Sequence, residues 1–207
     1  MSILENADKS YITLTPAGVF EAFSQREPTA MQLSLQALLS HHETMLISTW
    51  LKEYPEMWLE SFDEQGFIEK LTTFLPAPDL PLDQFLPYVV ASLSGKRRAA
   101  IASDDGFCLA RIGYTQDEAD TLSVAAADFS GFMQRQKTRG WAVEGRAISF
   151  FQQVDLLIPD TSFVFLWIDD AGYALIIDGE PLTNNRAFVE LIWGIKNSAL
   201  KFVDDAY

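Results

Sequence analysis

Three pairs of adjacent aspartates are the residues of this chain that could bind a cation or act as general acids: Asp104-Asp105, Asp169-Asp170 and Asp204-Asp205. An EF-hand calcium loop needs further ligands at alternate positions and a closing glutamate, and no such pattern surrounds these pairs. Two of the pairs come shortly before a glycine. Aspartate is common in turns because its carboxylate accepts hydrogen bonds from nearby backbone amides. We therefore interpret Asp104, Asp105 and Gly106 as a structural turn.

Two histidines and one cysteine are the other candidates for ligation or catalysis. His41 and His42 are adjacent, so on a helix their side chains point about 100° apart and could not hold one metal ion together. Cys108 lies in an apolar segment, which favours a small buried residue over a nucleophile. The sequence contains no glycine-rich phosphate loop and no common hydrolase or metalloprotease motif. We predict a protein that is not an enzyme and has no metal or cofactor.

The composition is typical of a folded, acidic protein. Of its 207 residues, 48% are hydrophobic and 13% are aromatic, enough apolar surface to offset the entropy of chain ordering. The net charge of -14 repels nucleic acid and anionic lipid headgroups. No apolar run approaches the ~18 residues that span a bilayer, and the N-terminus lacks a signal-peptide pattern. We expect a cytoplasmic protein without nucleic-acid partners and without membrane insertion.

Residues 1–80 are predicted to form a helical region without strands. Thr15-Pro16 and Pro28-Thr29 are typical helix starts. Apolar side chains recur at helical spacing from Met31 to Met45, and Pro55 should interrupt any helix that enters the aromatic segment around it.

Trp50, Trp58 and Phe62 are the large aromatic residues of that segment. They either pack inside the helical region or serve as anchors for a protein partner, because buried aromatic residues often dominate interfaces. Packing is the favoured interpretation.

A second region is predicted from residue 81 to residue 207, after a proline-rich boundary near residue 80. It begins with a helix from Leu82 to Gly95. A hairpin follows, turning at Asp105-Gly106, and a capping box at Thr115 and Glu118 opens a helix rich in alanine. The later predicted elements are strands at Ala147–Phe151, Val154–Ile158, Ser162–Ile168 and Tyr173–Ile177, and a final helix that begins at Asn184 or Asn185.

This second region resembles Roadblock/dynein light chain domains. The residues that carry the resemblance are 95–132, GKRRAAIASDDGFCLARIGYTQDEADTLSVAAADFSGF. They combine an apolar strand, an Asp-Gly turn, a second strand and an alanine-rich helix with an acidic start. The place of the family's first helix is taken by LPLDQFLPYVVASL, residues 80–93.

The resemblance covers residues 82–200 and implies an α+β fold. The expected architecture is a central antiparallel sheet flanked by helices, a Roadblock- or profilin-like α/β/α layout, preceded by the small helical region. The family has three strands after the long helix, whereas this sequence has four candidates. Either Val154–Ile158 continues the strand that begins at Ala147, or Tyr173–Ile177 is an addition, so the pairing order stays open.

The resemblance also implies a dimer in which neighbouring sheets join edge to edge, through a strand containing Ile148, Phe150 and Phe151. The alanine-rich helix would pack against its mate, and small residues such as Ala126 and Ser130 would allow close approach. Such modules bind small Ras-like GTPases or act as scaffolds. An open strand edge and a thin helix surface are physically suited to pairing across a two-fold axis.

Our leading hypothesis is a non-catalytic regulatory scaffold that forms a homodimer and binds a protein partner, with a small Ras-like GTPase as one candidate. The acidic charge alone would also suit an immunity or inhibitor protein that neutralises a basic effector. A third interpretation is a small-ligand sensor of profilin-like layout, since similar folds serve many functions.

Overall fold

The computed structural model describes residues 10–141, 146–154 and 156–204, with side chains up to residue 198. Within these ranges the chain forms two compact units. The first unit contains the residues up to Leu82 and those from Asn184 onward, and the second is Asp83–Thr183. The C-terminal helix therefore belongs with the N-terminal region. Trp193 of that helix donates a 2.7 Å hydrogen bond from Nε1 to the His41 carbonyl oxygen.

The first unit combines helices with a small antiparallel sheet, so the prediction of a region without strands is wrong. Its strands are β1 (Tyr11–Leu14), β2 (Met45–Leu46) and β3 (Ile68–Leu71), in the order β2-β1-β3. Its helices are α1 (Pro16–Ala22), α2 (Ala30–Gln36), a 3-10 turn (Ala37–Leu39), α3 (Ile47–Trp50), α4 (Glu56–Glu64) and α7 (Arg186–Asp204). The strands have two to four residues and pair with distant parts of the chain, such as Tyr11 with Leu71. Local periodicity carries no signal for such pairing.

The predicted helix starts in this unit are present. Thr15 caps α1 by accepting a hydrogen bond from the Gly18 N–H at 3.1 Å, and Pro16 is its first residue. Thr29 and Gln32 form a capping box at the start of α2. Pro55 immediately precedes α4, as expected of a residue that interrupts the preceding helix.

The second unit is built on a five-stranded antiparallel sheet in the order β5-β4-β8-β7-β6. The predicted α+β fold class is confirmed. The elements are α5 (Leu82–Ala91), β4 (Ala99–Ser103), β5 (Cys108–Ile112), α6 (Gln116–Thr138), β6 (Ala147–Phe150), β7 (Thr161–Ile168) and β8 (Ala171–Asp178).

Within the described part of the chain after α6 there are three strands, which resolves whether four candidate strands are present. β8 pairs with both β7 and β4 and so lies at the centre of the sheet. The predicted strand at Val154–Ile158 is wrong: the described residues of this segment form a loop between β6 and β7. The segment is apolar and suited to a strand in composition. It nevertheless has no strand partner within the described residues.

Helix α6 covers one face of this sheet. The capping box predicted at its start is present, with Thr115 and Glu118 bonded reciprocally. Small residues of β4, Ala100 and Ala102, lie fully buried in the core between helix and sheet. The rest of that core is formed by Tyr114, Ala119, Ala126, Phe163, Phe165, Ala174 and Ile176, with Leu122, Phe129, Met133 and Ile148 at its edge.

Candidate functional site

Strand β6 lies at the edge of the five-stranded sheet and, within the described chain, pairs only with β7. The Phe165 N–H donates to the Arg146 carbonyl oxygen at 3.0 Å, and Ile148 is aligned with Phe163. In an antiparallel ladder, residues directed toward the partner strand alternate with residues directed away from it. The backbone N–H and C=O groups of Ala147 and Ser149 therefore point away from β7.

The two predicted interface residues of β6 lie on the face that α6 covers. Ile148 packs at the edge of the core. Phe150 is 44% exposed, and its ring lies 5.3 Å from that of Phe129 on α6 and 6.0 Å from that of Phe163. Phe151, directly after the strand, is also exposed. Phe150 thus extends the core outward to the sheet edge.

The predicted interface residues of α6 have different surroundings. Ala126 is 0% exposed and packs in the core against its own sheet. Its side chain is therefore unavailable to a second copy, which corrects the role we expected for it. Ser130, one turn further on, is half-buried.

The exposed side of α6 carries apolar residues that the sequence analysis did not select. Phe132 is 42% exposed and its ring lies 6.4 Å from that of Trp141, which is exposed too. Val124 is also exposed on this helix. On the predicted helix, Phe132 and Val124 do not lie on the apolar face formed by Leu122, Phe129 and Met133. Their angular position around the helix was therefore the sequence signal that could have identified them as exposed residues.

The loop after β6 also carries exposed apolar residues. Val154, Leu156, Leu157 and Ile158 are all exposed, and Val154 is fully so. Contiguous exposed apolar residues of this kind are typical of interaction sites.

Asp104, Asp105 and Gly106 lie in the turn of the β4–β5 hairpin. Gly106 has φ +85, which glycine adopts without strain, and its N–H donates to the Ser103 carbonyl at 3.0 Å. The Asp104 N–H donates to the Gly172 carbonyl at 2.9 Å. A Cβ atom on Gly172 would lie 2.8 Å from the Asp104 Cβ, so the hairpin approaches β8 closely. These contacts connect the turn to the neighbouring strand.

A charged cluster joins the start of β4 to the end of β8 and to α6. Asp178 accepts from Lys96 Nζ at 2.7 Å and from Arg98 Nη1 at 2.9 Å. Arg98 also lies over the Tyr114 ring, 4.3 Å from its centroid. Burial raises the pKa of Tyr114 to about 12. Lys96 and Arg98 thus take part in ion pairs within the second unit.

The catalytic candidates are not brought together. Cys108 is half-buried, and burial raises the pKa of its thiol, which disfavours the reactive thiolate. Among residues 10–141, 146–154 and 156–204, no group of three or more histidine, cysteine, aspartate or glutamate side chains could hold a metal ion. In the same ranges, none of the helices combines the length and apolarity needed to cross a bilayer.

Two of the three predicted aromatic anchors are core residues of the first unit. Trp50 and Phe62 are buried, and Trp50 Nε1 donates to the Ser34 carbonyl at 3.0 Å. Their buried positions agree with the packing interpretation and leave Trp50 and Phe62 unavailable as partner anchors. Trp58 is half-buried and its ring is stacked on Tyr54, with 6.5 Å between centroids.

Comparison with known proteins gave two similar solved structures and no match to a family model or a curated protein. One is a Roadblock/LC7 domain from Streptomyces avermitilis, at 16% identity and a TM-score of 0.37, with 60% of this chain and 96% of that chain covered. The other is Myxococcus xanthus MglB, at 12% identity and a TM-score of 0.34, with 60% and 92% covered. The first carries the domain name that residues 95–132 also suggested.

Proposed function

We propose that the protein is a non-catalytic scaffold that forms a homodimer through strand β6 and the exposed side of α6, and that binds a further protein partner. The observation that carries this proposal is the combination of an open sheet edge with exposed aromatic side chains. Phe150 is on β6, next to the backbone groups that point outward. Its ring contacts Phe129 of α6, the helix that also carries the exposed Phe132. Strand pairing and apolar burial can therefore act at one surface.

The edge of β6 lacks the usual protection against pairing. Edge strands of monomeric proteins are commonly blocked by proline, by charged residues or by a bulge. The four residues of β6, Ala147 to Phe150, contain no proline and no charge, and their register with β7 is regular. This strand is suited to hydrogen bonding with another strand.

A two-fold axis near Ile148 would satisfy the outward-facing groups symmetrically. Ala147 of one copy would pair with Ser149 of the other, and the same pair would recur across the axis. Such an isologous interface closes at two copies and leaves no free edge for further growth.

The experiment that tests the dimer is sedimentation equilibrium of the full chain and of two substitutions at one position. Ser149→Pro removes the outward N–H while the inward ladder is kept, because proline lacks that donor. Ser149→Ala keeps the N–H and serves as the matched control, since both variants lose the 2.8 Å contact between Ser149 Oγ and Ser162 Oγ. We expect the wild type and Ser149→Ala to be dimers and Ser149→Pro to be a folded monomer. A wild type that stays monomeric at high micromolar concentration contradicts the proposal.

The partner class that we propose is a small Ras-like GTPase, supported by the resemblance of residues 82–200 to Roadblock domains. The test is retention of proteins from native lysate on the immobilised full chain, with GDP or a non-hydrolysable GTP analogue, at low and high salt. Retention of a small GTPase supports the proposal. Retention of a basic protein that is lost at high salt supports the inhibitor hypothesis instead, because only that association depends chiefly on the acidic charge.

A further inference from the structure

The loop between β6 and β7 is closed at its base by hydrogen bonds to one residue, Asp160. The Asp160 N–H donates to the Phe150 carbonyl oxygen at 2.9 Å, and the Asp160 carboxylate accepts from the Gln152 N–H at 2.6 Å. The Asp160 carbonyl oxygen accepts from the Gly179 N–H at 2.9 Å, which attaches the base to the residue after β8. Both ends of the loop are therefore fixed within the second unit.

Four exposed side chains of this loop form an apolar tip, which consists of Val154, Leu156, Leu157 and Ile158. Their exposed fractions run from 64% for Ile158 to 100% for Val154. Single exposed apolar residues are normal, whereas several large ones in one short segment are typical of a surface that an assembly buries. A loop whose ends are fixed also loses less chain entropy on binding than a free segment does.

The strand pairing proposed above places this tip relative to the second copy. About a two-fold axis near Ile148, residues that follow the axis in one copy lie beside residues that precede it in the other. The chain after Phe150 of one copy therefore runs beside the chain before Arg146 of the other. Only eight residues, 139–146, separate the end of α6 from β6. The tip of each copy thus lies on the side of the axis where α6 of the other copy ends.

The end of α6 is both apolar and basic. Phe132 is 42% exposed and Trp141 is 51% exposed, and their rings form an edge-to-face pair with centroids 6.4 Å apart. Residues 129–141 include no aspartate or glutamate. Two copies of a chain with a net charge of -14 repel each other, and the repulsion is weakest where the surface is basic. The exposed basic residues at this end are Arg135, Lys137 and Arg139.

A stable dimer needs more buried area than strand β6 alone supplies. The strand has four residues, so it is ~13 Å long at ~3.3 Å per residue. Specific interfaces bury about 1,200–2,000 Å² in total, and a large aromatic side chain buries about 150–250 Å². Because a two-fold axis makes every contact twice, the tip and the Phe132–Trp141 pair would each contribute their area two times.

We propose that the apolar tip of each copy packs against Phe132 and Trp141 of the other copy, beside the basic end of α6. This inference rests on the homodimer proposed above and names a contact that stabilises it. The contact is reciprocal, so each copy covers the exposed apolar surface of the other.

Cysteine crosslinking between two variants of the full-length protein tests the contact directly. One variant carries Leu156→Cys and the other carries Arg139→Cys, both with Cys108→Ser, and a tag on one variant identifies the mixed dimer. We expect a bismaleimide to link the two variants after they exchange subunits. Leu109→Cys in place of Leu156→Cys is the matched control and should give no mixed product, because Leu109 is exposed on β5 at the opposite edge of the sheet.

Sedimentation equilibrium measures what the tip contributes to dimerisation. Val154→Ser combined with Leu156→Ser should weaken the dimer about tenfold, because this change removes apolar area that only the dimer buries. The circular dichroism spectrum should stay that of the wild type, since both side chains are exposed in the single chain. Leu109→Ser is the matched control and should dimerise as the wild type does.

Failure of this contact and failure of the dimer give different results. Suppose that the wild type dimerises and Ser149→Pro does not, while the Val154→Ser, Leu156→Ser variant keeps the wild-type affinity and the crosslink is absent. The tip is then outside the interface, and the strand pairing stands. A wild type that is monomeric overturns both proposals.

Discussion

Arg98 donates a 2.6 Å hydrogen bond from Nη2 to Oε1 of Glu118, joining the segment before β4 to the first turn of α6. The Glu118 carboxylate also accepts from the Thr115 N–H at 2.8 Å through Oε2. One side chain thus closes the capping box and connects the helix to the sheet.

This arrangement predicts a specific pH dependence of stability. The hydrogen bond from the Thr115 backbone, together with Arg98, lowers the pKa of Glu118 from 4.5 to about 2. Because the folded-state pKa lies below the unfolded value, the stabilisation is fully present above pH ~4.5 and is lost as the pH falls toward ~2. We expect Glu118→Gln to lower the urea midpoint at neutral pH. The difference in urea midpoint between this variant and the wild type should shrink as the pH falls from ~4.5 toward ~2. Glu60→Gln on α4 is the control, and an unchanged difference at low pH argues against this role.

Gly18 is predicted to tolerate no side chain. A Cβ atom there would lie 1.9 Å from the Phe67 carbonyl oxygen, a backbone atom that also accepts from the Thr15 N–H at 3.0 Å. We expect Gly18→Ala to destabilise the protein by about 3 kcal/mol or more, because backbone must move to relieve the clash. Gly131→Ala in α6 is the matched control: only the flexible end of Arg135 lies near, and the change should stabilise by ~0.5–1 kcal/mol. Thermal unfolding of both variants should move in opposite directions.

The turn between β7 and β8 is strained at Asp169 and Asp170, which have φ values of 48° and 68°. Glycine adopts this left-handed conformation freely, and Asp-Gly is favoured in two-residue hairpins. Asp170→Gly should therefore stabilise the protein by about 0.5–1 kcal/mol, measured from chemical denaturation. Asp128→Gly, inside α6, should destabilise by about 0.3 kcal/mol, the difference between the helix propensities of the two residues. A destabilised Asp170→Gly variant would mean that the aspartate makes a compensating interaction.

Phe132 is predicted to contribute to self-association without supporting the fold. Its ring is half exposed and contacts Trp141. If the exposed side of α6 is buried in a dimer, Phe132→Ser should weaken dimerisation about tenfold or more, since aromatic anchors dominate interface energy. Sedimentation equilibrium measures the effect. Val124→Ser, earlier on the same helix, tests whether the apolar contribution to dimerisation comes mainly from the part of α6 near β6. If Phe132→Ser dimerises as the wild type does, α6 is not part of the interface.

The local features of this fold were readable from its residues. The Asp104 to Gly106 turn, the Thr115 capping box and the helix starts at Thr15 and Thr29 depend on side chains within four positions of one another. Their physical causes are short hydrogen bonds and backbone preferences, and these operate before any tertiary contact forms.

Other features depended on contacts between distant segments. The prediction missed β1 because β1 is a strand only through its pairing with β2 and β3. Its residue Tyr11 pairs with Leu46 and Leu71, which are remote in the chain. Composition alone marked Val154 to Ile158 as a strand, yet the structure provides no neighbour for it within the described residues.

The candidate interaction residues likewise have some properties that the local sequence determines and others that depend on distant contacts. The chain by itself determined that Ile148 and Phe150 lie on an apolar strand, that Ala126 lies on an alanine-rich helix and that Trp50 is one of a cluster of aromatics. Only the tertiary structure decided that β6 is an edge, that Ala126 and Trp50 are enclosed and that Phe132 is exposed. Burial and edge position are properties of what packs against a residue, and partners far along the chain supply them.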